Sequence, residues 1–478
     1  MIDTARLAAL IPGRRWFGGK GRTIESVDVL DHAIVHDGPP ALTFALLAIV
    51  YADGGRDLYH APLLLDDDGS VRDAADEPHR LAVVGDLMAH GHTIKGVAGS
   101  FHFGGPGLDP LHPPGRSVRA LGADQSNTSL VLDDAVVVKL FRRVEAGPNP
   151  DLEINRLLTH EGFEHTPPQV GEIVYEDGAD LLGDDLGDEP SSTTDLAIAQ
   201  QFVGGADDGW RCACEHLHDL YRDAGDADDV RPAVEERAAD ILGAIEELGR
   251  ATADLHVTLA REELEPSFAP EAVDRYDLQE WSARVVRAVR DEVAAGTEGV
   301  AGIAPEVERR AETLVALADA GQKTRVHGDF HLGQALYHSG RGWFLIDFEG
   351  EPARSFEDRR AKQSPLRDVA GMLRSLHYAS TAALFDHAEP GSDEWRRLEP
   401  WADAWDDAAR DRFLGAYLPT AHGGSFVPSD RDALKVMLDV FEIDKALYEL
   451  AYERGHRPHW MRIPVRGIAR VVERARPR

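Results

Sequence analysis

His327-Gly328-Asp329-Phe330-His331-Leu332-Gly333-Gln334, followed by Asp347-Phe348-Glu349, is the stretch on which the reading of this chain turns. Between the two runs lie QALYH, a Ser-Gly-Arg-Gly turn and WFLID, the pattern of a β-hairpin. Phosphoryl transfer asks little covalent chemistry of a protein. It needs a carboxylate to orient and deprotonate an acceptor hydroxyl, and hard oxygen ligands to hold Mg²⁺ on the phosphates of ATP. Asp329 is the candidate for the first task, and Gln334 and Asp347 for the second. Either motif alone is a turn or a strand end; both in this order, joined by a hairpin, are specific.

The Asp329-to-Gln334 offset equals the Asp-to-Asn offset of a kinase catalytic loop, and Asp347 closes an apolar strand as a kinase's metal-binding Asp does. Upstream, Lys139 interrupts the otherwise apolar Ala135–Phe141 run. A lysine there must reach solvent or an anion. ATP phosphates would satisfy it, with Glu153 on the following segment holding it in place. Thr128–Leu132 and Val136–Phe141 read as paired strands. Asn149-Pro150 reads as an N-cap and first helical residue. The preceding Gly122–Thr128 loop, with Ser126, Asn127 and Thr128, is the expected cover over the phosphates, although it is neither a Walker A motif nor a glycine-rich kinase loop.

Working outward, residues 1–90 mix short strand-like runs, ALTFALLAIVYA and DLYHAPLLL, with Asp- and Gly-rich turns, and GGPGLDPLHPPGR at 104–116 reads as a subdomain boundary. EIVYED and LAIAQQFV extend a small sheet to about residue 205. Beyond it the pattern is helical: 232–260, the run after Ser364-Pro365, and 432–453 all carry apolar residues at helical spacing. Asp368, in the first turn of the second of these, is expected either to stabilise the helix N-terminus through its dipole or to brace the catalytic loop. The expected architecture is α+β: a protein-kinase-like bilobal fold with a cap subdomain (1–90), a nucleotide-binding sheet lobe (91–205) and a helical lobe holding the catalytic loop (206–478).

The chain has 478 residues, 43% hydrophobic and 28% charged, with a formal charge of −33. Such a field repels nucleic acid and anionic membranes. No apolar run reaches the length of a membrane span and no leader pattern opens the chain. Cys212 and Cys214, one residue apart, suit neither a disulfide nor a zinc site. A cytoplasmic monomer is expected.

Several stretches resemble the maltokinases, within the aminoglycoside-phosphotransferase-like kinases. They are Arg14-Arg15-Trp16-Phe17-Gly18-Gly19-Lys20-Gly21, the Gly122–Thr128 loop, the run from His327 to Tyr378 that contains Asp347-Phe348-Glu349-Gly350-Glu351-Pro352, and Phe441–Glu449 continuing to Arg457-Pro458-His459-Trp460. The resemblance spans the whole chain. It implies transfer of the ATP γ-phosphate to the anomeric hydroxyl of maltose, giving maltose 1-phosphate for α-glucan and glycogen synthesis. The expected acceptor set is His327, Asp444, Lys445, Tyr448 and Trp460; Asp444, Lys445 and Tyr448 share one helical face. An amino-sugar (glucosamine) or aminoglycoside kinase of the same fold is the alternative, since an acidic protein attracts cations. A non-catalytic, pseudokinase-like binding protein would have no need of Lys139, Glu153, Asp329, Gln334 and Asp347 together.

Overall fold

In the computed structural model, residues 2–105, 107, 117–122, 126–178, 193–225, 229–261, 263–352 and 354–474 are described. Most of the expected boundary loop at 104–116, and Ala123, Asp124 and Gln125 of the expected phosphate cover, lie outside them. The chain divides into two compact units, Met1–Gly205 and Ala206–Arg478.

The first unit holds two antiparallel sheets. One runs Ile24–His36, Ala41–Tyr51, Arg56–Leu65, Arg143–Val144, with Val71–Asp73 also on Arg56–Leu65. Ala41–Tyr51 and Arg56–Leu65 match the two expected runs to within a residue, whereas Ile24–His36 was hidden by interspersed Asp and His. Side-chain alternation makes the central strand two-faced. Leu42, Phe44 and Leu46 join a core with Phe101, Leu130, Val138 and Leu196 of the second sheet, across the expected boundary near residue 90. Ala45, Leu47 and Ile49 join Leu7, Trp16 and Phe17 on the opposite face. The second sheet runs Thr93–Lys95, Ser100–Gly104, Gln169–Glu176, Thr193–Gln201, Val136–Leu140, Thr128–Leu132, Val118–Ala120. Lys139 stands opposite Ser129 on one side and Ile198 on the other. The helix Pro150–His160 follows, capped by Asn149 as expected.

The second unit is mostly helical. Leu366–His387 and Arg431–His456 follow the expected spacing, whereas 232–260 is broken into Val230–Arg237 and Ala239–Leu259. The hairpin Ala335–His338 and Gly342–Leu345 is present, joined at its edge by Asp207–Asp208. Gly371 lets the helix Leu366–His387 come close to the catalytic loop, because a Cβ there would lie 2.6 Å from the Phe330 carbonyl oxygen. Among the described residues no helix is long and apolar enough to cross a membrane.

Candidate active site

The catalytic run is held from beneath by Asp368. One carboxylate oxygen accepts the backbone N–H of His327 (2.8 Å), and the other accepts that of Gly328 (3.0 Å), whose φ is +85°. His256 Nε2 lies 3.1 Å from Asp368, and its Nδ1 lies 2.9 Å from the Tyr417 hydroxyl. Burial works to raise the Asp368 carboxyl, but the His256 bond and charge, the nearby His327 and the Gly328 N–H outweigh it and leave it below its ordinary range. A charged, fully bonded anchor thus fixes the loop.

His327 was expected to face the acceptor, and the structure corrects this. Its side chain is buried, packed on the rings of Phe330 and Phe348, and Nε2 donates to the Ile346 carbonyl (2.9 Å). It ties the loop to the segment that joins the strand Gly342–Leu345 to Asp347, and has no surface to offer a sugar. His331 caps the next turn by accepting the Gly333 N–H at Nδ1, and Nε2 lies 4.0 Å from Asp329. Burial lowers the His331 pKa against the opposing charge of Asp329.

Asp329 projects into a cavity of about 470 Å³. Its Oδ1 accepts from Lys445 Nζ (3.1 Å), which also donates to Glu351 Oε1 (2.7 Å). Burial alone would lower the lysine pKa; Asp329 and Glu351 overcome it and push the ammonium well above its ordinary value. Glu351 accepts a second bond from Arg354 Nε (2.6 Å). Asp444 sits between Arg284 (2.9 Å) and Arg367 (3.2 Å). Phe441, Asp444, Lys445 and Tyr448 line the cavity from one face of Arg431–His456. Tyr448 is half-exposed there, with the Lys445 ammonium 5.0 Å from its ring centroid.

Trp460 does not line this cavity. It packs on Tyr378 (5.7 Å between centroids) and under the Arg457 guanidinium (4.1 Å). Glu351, Arg284, Arg354 and Arg367 were missed as site residues. Glu351 and Arg367 lie in the stretches most like maltokinase, which was the one available signal; Arg284 lies on a helix with none.

Gln334 Nε2 donates to Asp347 Oδ2 (2.9 Å), placing an amide oxygen and a carboxylate side by side on adjoining segments. This donor set fits Mg²⁺, which takes oxygen ligands. Asp347 adopts φ +68°, a left-handed conformation rare for a non-glycine residue.

In the first unit, Lys139 Nζ donates to Asp151 Oδ2 (2.9 Å). The expected partner was Glu153. Both acids lie in the first helical turn, but Asp151 is buried and held by Asn155 (2.9 Å), whereas Glu153 is half-exposed. Ser126 is exposed; Asn127 Oδ1 accepts from the Arg142 backbone N–H (3.1 Å), and Thr128 Oγ1 from Arg142 Nε (2.8 Å).

A model of the maltokinase N-terminal cap domain matches residues 11–94, and one of the phosphotransferase enzyme family matches residues 117–350. The chain is 28% identical over 367 residues to a glucosamine kinase of Mycolicibacterium smegmatis, covering 75% of this chain and 80% of that protein. It is 28% identical over 357 residues to a glucosamine kinase of Streptacidiphilus jiangxiensis, covering 72% and 71%. A solved glucosamine kinase in complex with glucosamine, ADP and inorganic phosphate has the same fold, with a TM-score of 0.67 at 24% identity over 98% of both chains. A match to the phosphotransferase family over residues 117–350 thus follows a match to the maltokinase cap over residues 11–94, with Asp329 open to a cavity and Asp347 beside Gln334, and the chain built from these two parts is an ATP-dependent sugar or amino-sugar kinase.

Proposed function

We propose that this kinase transfers the γ-phosphate of ATP to the anomeric hydroxyl of maltose, giving maltose 1-phosphate, an activated donor for α-glucan synthesis. The observation that carries the reading is the charge state of the cavity. Its inner carboxylates, buried or half-buried, are already matched: Asp444 by Arg284 and Arg367, Glu351 by Lys445 and Arg354, Glu292 by Arg454. An incoming ammonium would have to displace one of these cations, whereas a neutral sugar can take hydrogen bonds from the guanidinium groups and stack on Tyr448. The protein's net negative charge therefore does not extend into the cavity as a cation trap.

In the proposed reaction Asp329 accepts the proton of the anomeric hydroxyl as its oxygen forms a bond to the γ-phosphorus. The bond from that phosphorus to the bridging β,γ-oxygen breaks, and ADP leaves. Lys139 holds the phosphates, Ser126, Asn127 and Thr128 cover them, and Glu153 lies beside the Lys139–Asp151 pair. Gln334 and Asp347 would hold Mg²⁺, which neutralises phosphate charge when bound. Lys445 and Glu351 orient the acceptor and Asp329.

An amino-sugar acceptor is the second reading. It is favoured by the named relatives and by Asp291, an exposed carboxylate on the cavity lining that forms no ion pair among the described residues. A coupled ADP-release assay over maltose, glucose, glucosamine and kanamycin decides. Maltose should turn over fastest and yield an acid-labile, non-reducing product. Glucosamine outpacing maltose, with a KM that rises with salt, would transfer the assignment to the amino sugar.

A further inference from the structure

Arg142 follows the Lys139 strand and is completely buried. Its bonds join two parts of the first unit. On one side Nε donates to Thr128 Oγ1 (2.8 Å), and its backbone N–H donates to Asn127 Oδ1 (3.1 Å). On the other, Nη2 donates to Asp73 Oδ1 (2.6 Å), and the Arg142 carbonyl accepts from the His60 N–H (2.8 Å). Asp73 is buried too, and its second oxygen accepts from Trp16 Nε1 (2.6 Å). The Trp16 ring also lies 4.9 Å from the guanidinium carbon. Trp16, His60 and Asp73 lie within residues 11–94, the cap; Asn127 and Thr128 are the described end of the Gly122–Thr128 loop.

A buried ion pair is a weak source of stability compared with apolar packing of the same volume. This one is also incompletely satisfied, since Nη1 has no partner among the described residues. Stability alone therefore accounts poorly for an arginine here. Geometry accounts for it better: a rigid planar fork fixes the Thr128 hydroxyl against a carboxylate that is itself fixed by an indole, and the backbone N–H of the same residue fixes the Asn127 side chain. With its oxygen occupied by Arg142, the Thr128 hydroxyl has its proton left to donate, and to a defined direction.

We infer that Arg142 is a positioning residue for the phosphate loop, and that Asp73 and Trp16 of the cap set the affinity for ATP through it without touching the nucleotide. The inference rests on the reading of Ser126, Asn127 and Thr128 as the phosphate cover. It does not depend on which sugar is the acceptor.

The test is calorimetric titration of the full chain with ATP and Mg²⁺, and separately with adenosine, which has no phosphates for the loop to hold. Trp16→Phe keeps the ring and removes the N–H; Asp73→Asn removes the charge; Thr128→Val removes the loop hydroxyl. Each should raise the Kd for ATP, the cap variants by about 2–30-fold, while adenosine binding stays within twofold. Trp16→Phe combined with Thr128→Val should fall short of the product of the single effects. If Thr128→Val leaves ATP binding unchanged, the phosphate-cover reading fails and takes the inference with it. If Thr128→Val weakens ATP but the cap variants do not, the inference alone is overturned. Equal weakening of ATP and adenosine would mark a structural role only and overturn it as well. Should Asp73→Asn not fold, Trp16→Phe decides.

Discussion

Lys139 in the sheet unit and Lys445 in the helical unit are both half-buried lysines bonded to a carboxylate, yet their surroundings differ. Lys139 meets Asp151, whose side chain is 1% exposed and already held by Asn155. Lys445 meets Asp329, 21% exposed, and Glu351, and all three face a cavity. The first pair is fixed, because its anion is buried and held by Asn155. The second is exchangeable, because an acceptor entering the cavity can replace the ammonium on Asp329. A fixed pair suits the role proposed for Lys139, a cation held in one place for phosphates. An exchangeable one suits the role proposed for Asp329, a carboxylate that an acceptor has to reach.

The largest expected effect tests the exchangeable side. Asp329→Asn keeps the shape but removes the base, and turnover should fall by about 10²–10⁴-fold with the KM for ATP nearly unchanged. Steady-state kinetics retaining more than about a tenth of wild-type turnover would place the base elsewhere.

Next comes the contrast in stability. Lys139→Met leaves Asp151 buried without its cation and should cost about 3–5 kcal/mol. Lys445→Met leaves Asp329 and Glu351 open to cavity water and should cost less, about 1–2 kcal/mol. Chemical denaturation of both variants measures the difference; equal losses would remove the distinction between fixed and exchangeable pairs.

The smallest effect is on pH dependence. The Lys445 ammonium is raised above its ordinary 10.5 in the folded chain. Its contribution is thus fully present below that value and is lost as pH rises through the folded-state pKa. Melting temperature against pH should decline less steeply above about pH 10.5 in Lys445→Met than in wild type; parallel curves would show that the pairing is not felt in the folding equilibrium.

The hairpin after His327–Gln334, the strand that carries Lys139 and the main helices were legible because each is encoded within a few dozen residues by spacing, caps and apolar period. What escaped depends on contacts between distant segments. Asp151 and Glu153 share a helical turn, and only the packing of Asn155 shows which one is buried toward the lysine. Glu351 meets Lys445 across 94 residues of sequence, so its place in a distinctive stretch signalled importance without a role. Trp460 and His327 have side chains suited to a sugar site, but one packs on Tyr378 and the other is sealed between Phe330 and Phe348. Residue type alone cannot separate a ring that meets ligand from one that meets protein.

Asp347 occupies a backbone conformation that glycine adopts without penalty and other residues adopt at a cost of about 1–2 kcal/mol. Glycine at this position would relax the chain while deleting the carboxylate proposed for the metal. A laboratory evolution campaign that rewarded heat tolerance alone would be drawn toward that replacement and would enrich robust, inert protein. Thermal selection of this enzyme therefore has to be linked to turnover in every round.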